Sequence, residues 1–173
     1  MCGILHLGKH PTVFPVLTML VVAGLALAGC AAEPAPTGPE TDGVALRDYI
    51  TNTTKYTDWK MWPGKQALYL GTEPHGMLLT TYVTDGAFSA IDGKKGSIPD
   101  RSIIVKENYM PDKTLAAITV MYKVKGYDQA NNDWFWLKYA PDGTIDVSGK
   151  VQMCIDCHGG QKANDFIFTS PLK

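Results

Sequence analysis

Ile118-Thr119-Val120-Met121-Tyr122-Lys123-Val124, then Lys125 to Asp133, then Trp134-Phe135-Trp136-Leu137-Lys138-Tyr139: this stretch decides the fold. Its two ends are dense in β-branched and aromatic side chains, which suit a pleated, half-buried surface. Between them stand Gly126, Asn131, Asn132 and Asp133, which accept turn backbone angles. The gap is too short for a crossover helix, so the two strands pair antiparallel. Working outward, Met77–Val83 and Ser102–Glu107 carry the same strand signal. Turn chemistry separates the strands at Asp85-Gly86, Asp92-Gly93, Pro111-Asp112 and Pro141-Asp142-Gly143. Val44–Asn52 predicts a short helix, with Tyr56–Trp59 as its continuation. The expected class is therefore a β-dominated α+β domain, an antiparallel sheet with a few flanking helices.

The chain has 173 residues, of which 45% are hydrophobic and 19% charged, the composition of one globular domain and not of a disordered chain. Lys and Arg number 16 against 17 Asp and Glu, and no basic run breaks the balance. A phosphate backbone is neutralised by clustered cations, so a nucleic-acid partner is not expected.

The uncharged run Val16–Ala28 follows an n-region whose one full positive charge is Lys9. A bilayer-spanning helix needs about 20 apolar residues, so this run has the length of a secretory h-region instead. Leu27-Ala28-Gly29-Cys30 resembles the lipobox of bacterial lipoproteins, in which the cysteine is lipidated and becomes the mature N-terminus. Residues 1–29 are thus expected to be a lipoprotein signal peptide, and 30–43 a lipidated Cys30 with a flexible, proline-rich tether. Residues 44–173 would form the folded domain. Ala31 after the cysteine resembles the outer-membrane sorting pattern, so the expected location is the bacterial cell envelope, on the outer membrane facing the periplasm.

Cys154-Ile155-Asp156-Cys157-His158 is C-x-x-C-H, the attachment pattern of a c-type haem. Two thiols three positions apart can each form a thioether with one porphyrin, and the adjacent imidazole of His158 can then ligate the iron. A disulfide or redox C-x-x-C would leave His158 without a role, and a closed tetrahedral zinc site is disfavoured because the mature domain offers only these two thiols with His75 and His158 and no second C-x-x-C. One haem c near the C-terminus is the expectation, with Cys154, Cys157 and His158 as its residues. Of the four cysteines, Cys2 then falls in the signal peptide and Cys30 takes lipid.

A C-terminal haem motif on a strand-rich domain resembles the cytochrome P-460 family, including its cytochrome c prime beta type. The resemblance is carried by Ser102–Asn108, Gly126-Tyr127, Asp133-Trp134-Phe135, the haem motif, and Asn164–Thr169, spread from about Tyr56 to Thr169. It implies an antiparallel sheet, a homodimer, and a five-coordinate haem with an open distal face. Some members oxidise hydroxylamine at a haem cross-linked to a lysine; others bind gases such as nitric oxide or carbon monoxide in an apolar pocket.

By the same resemblance Lys106 takes the place of the cross-linking lysine. In a strand of period two it shares a face with Ile104 and Ser102, whereas Glu107 points away. A lysine in a strand is usually a solvated edge residue; an inward one is a costly buried charge unless neutralised or covalently used. The oxidising members carry a proton-accepting carboxylate on the next strand, where an ungapped register places Ile118, with Thr119 beside it and no acid between Leu115 and Val124. His75 falls where relatives place a distal aromatic; it could face a bound ligand, ligate iron, or be an ordinary loop residue. Met77, Met110 and Met121 are conceivable axial ligands, though methionine on strands is usually packing. Trp59, Trp62, Trp134, Trp136, Phe166 and Phe168 are expected in the core, a dimer contact or the haem pocket.

The sequence thus predicts an exported, lipid-anchored mono-haem cytochrome with an open distal site for small nitrogen species and a soluble redox partner. The alternative is a six-coordinate electron carrier without substrate chemistry.

Overall fold

The computed structural model describes residues 38–173. Cys30, the signal segment and most of the tether lie outside the described residues. Seven strands form one antiparallel sheet: β1 Lys60–Met61, β2 Tyr69–Leu70, β3 Leu78–Val83, β4 Ile103–Tyr109, β5 Leu115–Lys123, β6 Trp134–Tyr139 and β7 Ile145–Gly149. They lie in the order β1-β3-β4-β5-β6-β7, with β2 also pairing β3. Among the described residues three α-helices accompany them: α1 Gly43–Asp48, α2 Asp85–Asp92 and α3 Gln152–Gly159. The β-dominated α+β expectation holds.

Period-two alternation divides the core between the two faces. On one face Ile103 and Val105 of β4, Ile118, Val120 and Tyr122 of β5, and Phe135 and Leu137 of β6 pack under Leu46 and Ile50 of the N-terminal helical segment. On the other, Val83, Ile104, Trp134 and Trp136 pack with Ala87, Ala90 and Ile91 of α2, Ile155 of α3 and the C-terminal Phe166, Ile167 and Leu172. The first face is filled along the central strands. The second is filled only in part, and the remainder of it walls a cavity.

Three local expectations change. Asp42 caps α1, its carboxylate accepting from the backbone N–H groups of Val44 and Ala45 at 2.9 Å each. The Tyr122 hydroxyl donates to the Pro39 carbonyl at 3.1 Å. Residues 38–43, expected in the tether, therefore belong to the folded part. Second, the helix from Val44 does not run on through Tyr56: Lys55 takes left-handed angles (φ +47°) and a separate turn begins after it. Third, Asp85-Gly86 and Asp92-Gly93 are not turns between strands but the two ends of α2.

Candidate functional site

Helix α3 carries the whole cysteine–histidine motif. Positions three and four apart lie on one face of a helix, so Cys154, Cys157 and His158 project together. All three line one cavity of about 690 Å³, within the range of small-molecule and cofactor sites. Between them Ile155 is buried in the core beneath the sheet, which fixes the helix in rotation. Both thiols are free, not joined in a disulfide. Burial raises the Cys154 thiol pKa, and the neighbouring Cys157 adds to it.

His158 is buried, with its Nδ1 2.7 Å from the Phe166 carbonyl oxygen. A carbonyl can only accept, so Nδ1 carries the proton and Nε2 keeps its lone pair. Desolvation lowers the His158 pKa, against the opposing pull of the Phe166 carbonyl, and so favours the neutral ring. The Trp136 ring lies 4.8 Å from the imidazole and the Phe168 ring 5.4 Å, both edge-on. These contacts leave the ring little freedom to turn. A neutral imidazole held at Nδ1 with Nε2 free is the form a metal ligand requires.

Strands β4 and β5 form the opposite wall. Lys106 lines the cavity with Ile104, with which it was expected to share a face, and with Asn108. Desolvation lowers its amine pKa to about 8, and among the described residues no carboxylate forms an ion pair with it. Glu107 is buried on the other face, accepting from the hydroxyls of Tyr56 at 2.9 Å and Tyr109 at 2.7 Å. Ile118, expected at the place of the carboxylate, is not in the cavity: Lys106 pairs with Thr119, and Ile118 pairs with Glu107 on the far face. Partners directly opposite on a ladder share a face, so Thr119 is the β5 residue that meets Lys106. The strand still offers no acid to the cavity.

His75, in the loop before β3, reaches the same space. The Asn108 side-chain NH₂ donates to the carbonyls of Lys106 at 2.9 Å and Ala117 at 3.0 Å, which turns its Oδ1 toward His75. Nδ1 of His75 lies 3.2 Å from that oxygen and is therefore the donor. Burial lowers the His75 pKa to about 4, with Lys106 and His158 adding to the shift, so its ring is neutral near pH 7. Its ring centroid is 5.9 Å from that of His158. The loop role is present too, through the His75 backbone N–H and the Thr72 carbonyl at 3.1 Å.

Of the methionines, Met110 and Met121 line the cavity and Met77 is half exposed outside it. Trp62 and Trp134 are core residues, Trp59 packs at the edge of the other core, and Phe168 is exposed at the cavity mouth. Sequence reasoning gave no role to Asn108 or to the Phe166 carbonyl. Asn108 was signalled by the period of two from Lys106; a backbone carbonyl carries no sequence signal.

A planar apolar group attached at two thiols, ligated from α3 and flanked by Trp136, Phe166 and Phe168, fits this cavity. Among the described residues no cluster of three or more His, Cys, Asp or Glu could hold a bare metal ion. Residues 53–169 match the family model described as Cytochrome P460. Comparison with curated proteins gives no match.

Proposed function

Since the chain belongs to the cytochrome P460 family, whose members are haem-binding c-type cytochromes, we propose that it is an exported, lipid-anchored mono-haem protein whose open distal side takes small nitrogen species, hydroxylamine or nitric oxide. The observation that carries this reading is the convergence of Cys154, Cys157, His158 and Lys106 on one cavity. Cys154 and Cys157 would hold haem c through thioethers, and His158 would ligate the iron through Nε2. Bound haem supplies an iron centre for ligand binding and electron exchange.

The chain's own residues then shape the ligand space. Phe166 orients His158. Asn108 orients His75 and fixes its tautomer. Lys106 places an amine, partly neutral in mildly basic solution, against the group in the cavity. Thr119 stands where a proton acceptor would be needed, which favours ligand binding or slow oxidation over fast turnover. Exposed apolar side chains at the mouth, Leu70, Met110, Met153 and Phe168, support a homodimer contact there. The lipid on Cys30 would hold the protein to the outer membrane facing the periplasm, where a soluble redox partner could reach it.

One observation favours the second reading, a six-coordinate electron carrier: the neutral His75 ring lies 5.9 Å from His158 in the same cavity. Haem staining after denaturing electrophoresis, followed by mass spectrometry of the haem peptide, tests the covalent attachment. A stained band and a haem mass on the 154–158 peptide are expected. A colourless band would refute it.

A further inference from the structure

After α3 and a short 3-10 turn over Lys162–Asn164 the chain comes back so that the Phe166 carbonyl meets His158. At that turn Asp165 and Phe166 occupy consecutive left-handed conformations, φ +54° and +65°. Residues with a Cβ rarely adopt these angles, and they persist where surrounding structure over-determines them. If the pair relaxed, the Phe166 carbonyl would swing away from His158.

The pair is held by the Phe166 backbone N–H on the Gln161 carbonyl at 2.9 Å and, through side chains, by the Asp165 carboxylate, which is only 3% exposed. It accepts from the Lys123 ammonium at 2.6 Å, the Asn132 amide at 3.0 Å and the Ile98 backbone N–H at 2.7 Å. The Asp165 carbonyl is held as well, by the Trp134 indole N–H at 3.1 Å. Lys123 in turn stands 4.5 Å above the Trp134 ring. β5, β6 and the segment before β4 thus converge on one residue. A buried ion pair is a poor source of stability compared with apolar packing, but removing one partner leaves an uncompensated buried charge.

We propose that Asp165, clamped by Lys123, is a positioning residue for the axial imidazole: it holds the Phe166 carbonyl on His158 Nδ1 and so sets the donor strength of Nε2 toward iron. The proposal rests on the haem reading above. Outer partners of a metal-bound histidine raise its basicity and fix its orientation. A firmly accepted Nδ1 proton makes His158 a stronger donor, which favours the ferric state. Loosening the clamp would weaken the donor and favour the ferrous state.

The test uses the whole mature, haem-loaded protein with three substitutions. Asp165→Asn and Lys123→Gln should each shift the reduction equilibrium about tenfold toward ferrous, a rise of about 59 mV for one electron. Lys123→Arg, which keeps the ion pair, should return the wild-type potential. Hydrogen exchange at the His158 ring N–H, followed by NMR, should be slow in wild type and Lys123→Arg and fast in the other two. Unchanged potential and exchange in folded Asp165→Asn and Lys123→Gln would overturn the proposal; if Asp165→Asn does not fold, Lys123→Gln decides alone by the same readings. The exchange measurement needs no iron, so a wild-type chain without haem would refute the haem reading while still testing the clamp.

Discussion

Lys106 stands directly opposite Thr119 on the β4–β5 ladder, and both side chains emerge on the cavity side of the sheet. A hydroxyl there cannot take a proton from a bound ligand as a carboxylate can. Slow hydroxylamine turnover with an artificial electron acceptor is therefore expected of the wild type. Thr119→Glu should raise it by about 10²-fold, the lower end of what a positioned acid or base contributes. Fast wild-type turnover, or no gain in a haem-loaded variant, would show that β5 is not where the proton goes.

His75 gives a pH dependence whose sign follows from its half-buried, neutral ring. Its folded pKa of about 4 lies below the ordinary 6.5, so the unfolded chain binds the proton more readily. The resulting stability is fully present above about pH 6.5 and is lost as pH falls toward 4. Between pH 7 and pH 5 the wild type should lose up to about 2 kcal/mol more than His75→Phe in urea unfolding. Parallel pH profiles would mean that His75 is solvated or already protonated in the fold.

How much of this was legible in the sequence depended on the kind of signal. β6 was readable to the residue, because Trp134–Tyr139 is aromatic and aliphatic apart from Lys138, its one exposed position, and lies between turn formers. α2 was missed because its terminal Asp85-Gly86 and Asp92-Gly93 look like turns. Its Ala87, Ala90 and Ile91, spaced three and four apart, are nevertheless its buried side. β7 was missed although Ile145 and Val147 alternate with Asp146 and Ser148. At the cavity, the motif on α3 was readable from spacing; parity put Lys106 on the face of Ile104, and only the family resemblance pointed that face toward a haem. Ile118 was misplaced because a one-residue slip moves a strand residue to the other face, and only the pairing settles that parity. The Phe166 carbonyl depends on two left-handed residues that composition does not announce.

Glu107 tests the separation of the two faces. Its carboxylate satisfies the hydroxyls of Tyr56 and Tyr109, and burial, with the Glu107 charge adding to it, pushes the Tyr139 phenol up to about 12. Glu107→Ala would leave two donors without an acceptor and should cost about 3 kcal/mol of stability. The haem spectrum should not move, because the group lies behind β4. A stable variant with an altered spectrum would contradict this placement.

On the proposed haem reading, Lys106, which lines the cavity, would be the amine to bond a porphyrin edge. The wild-type haem peptide is expected to carry a second fragment containing Lys106, together with a ferrous absorption maximum well to the red of ordinary c-type haem. Lys106→Leu should remove both features and leave the thioethers of Cys154 and Cys157 intact. A wild-type haem peptide with thioethers alone and an ordinary band would make Lys106 a pocket neighbour and favour gas binding over oxidation.

The most direct measurement is the ferrous absorption spectrum with and without carbon monoxide, because an open iron position and a closed one cannot give the same answer. An open distal side predicts a high-spin ferrous spectrum that converts to a low-spin carbonyl adduct when the gas is added. A low-spin ferrous spectrum that carbon monoxide leaves unchanged would mean that His75 or a methionine occupies the sixth position, and the account of a ligand-binding haem would be wrong.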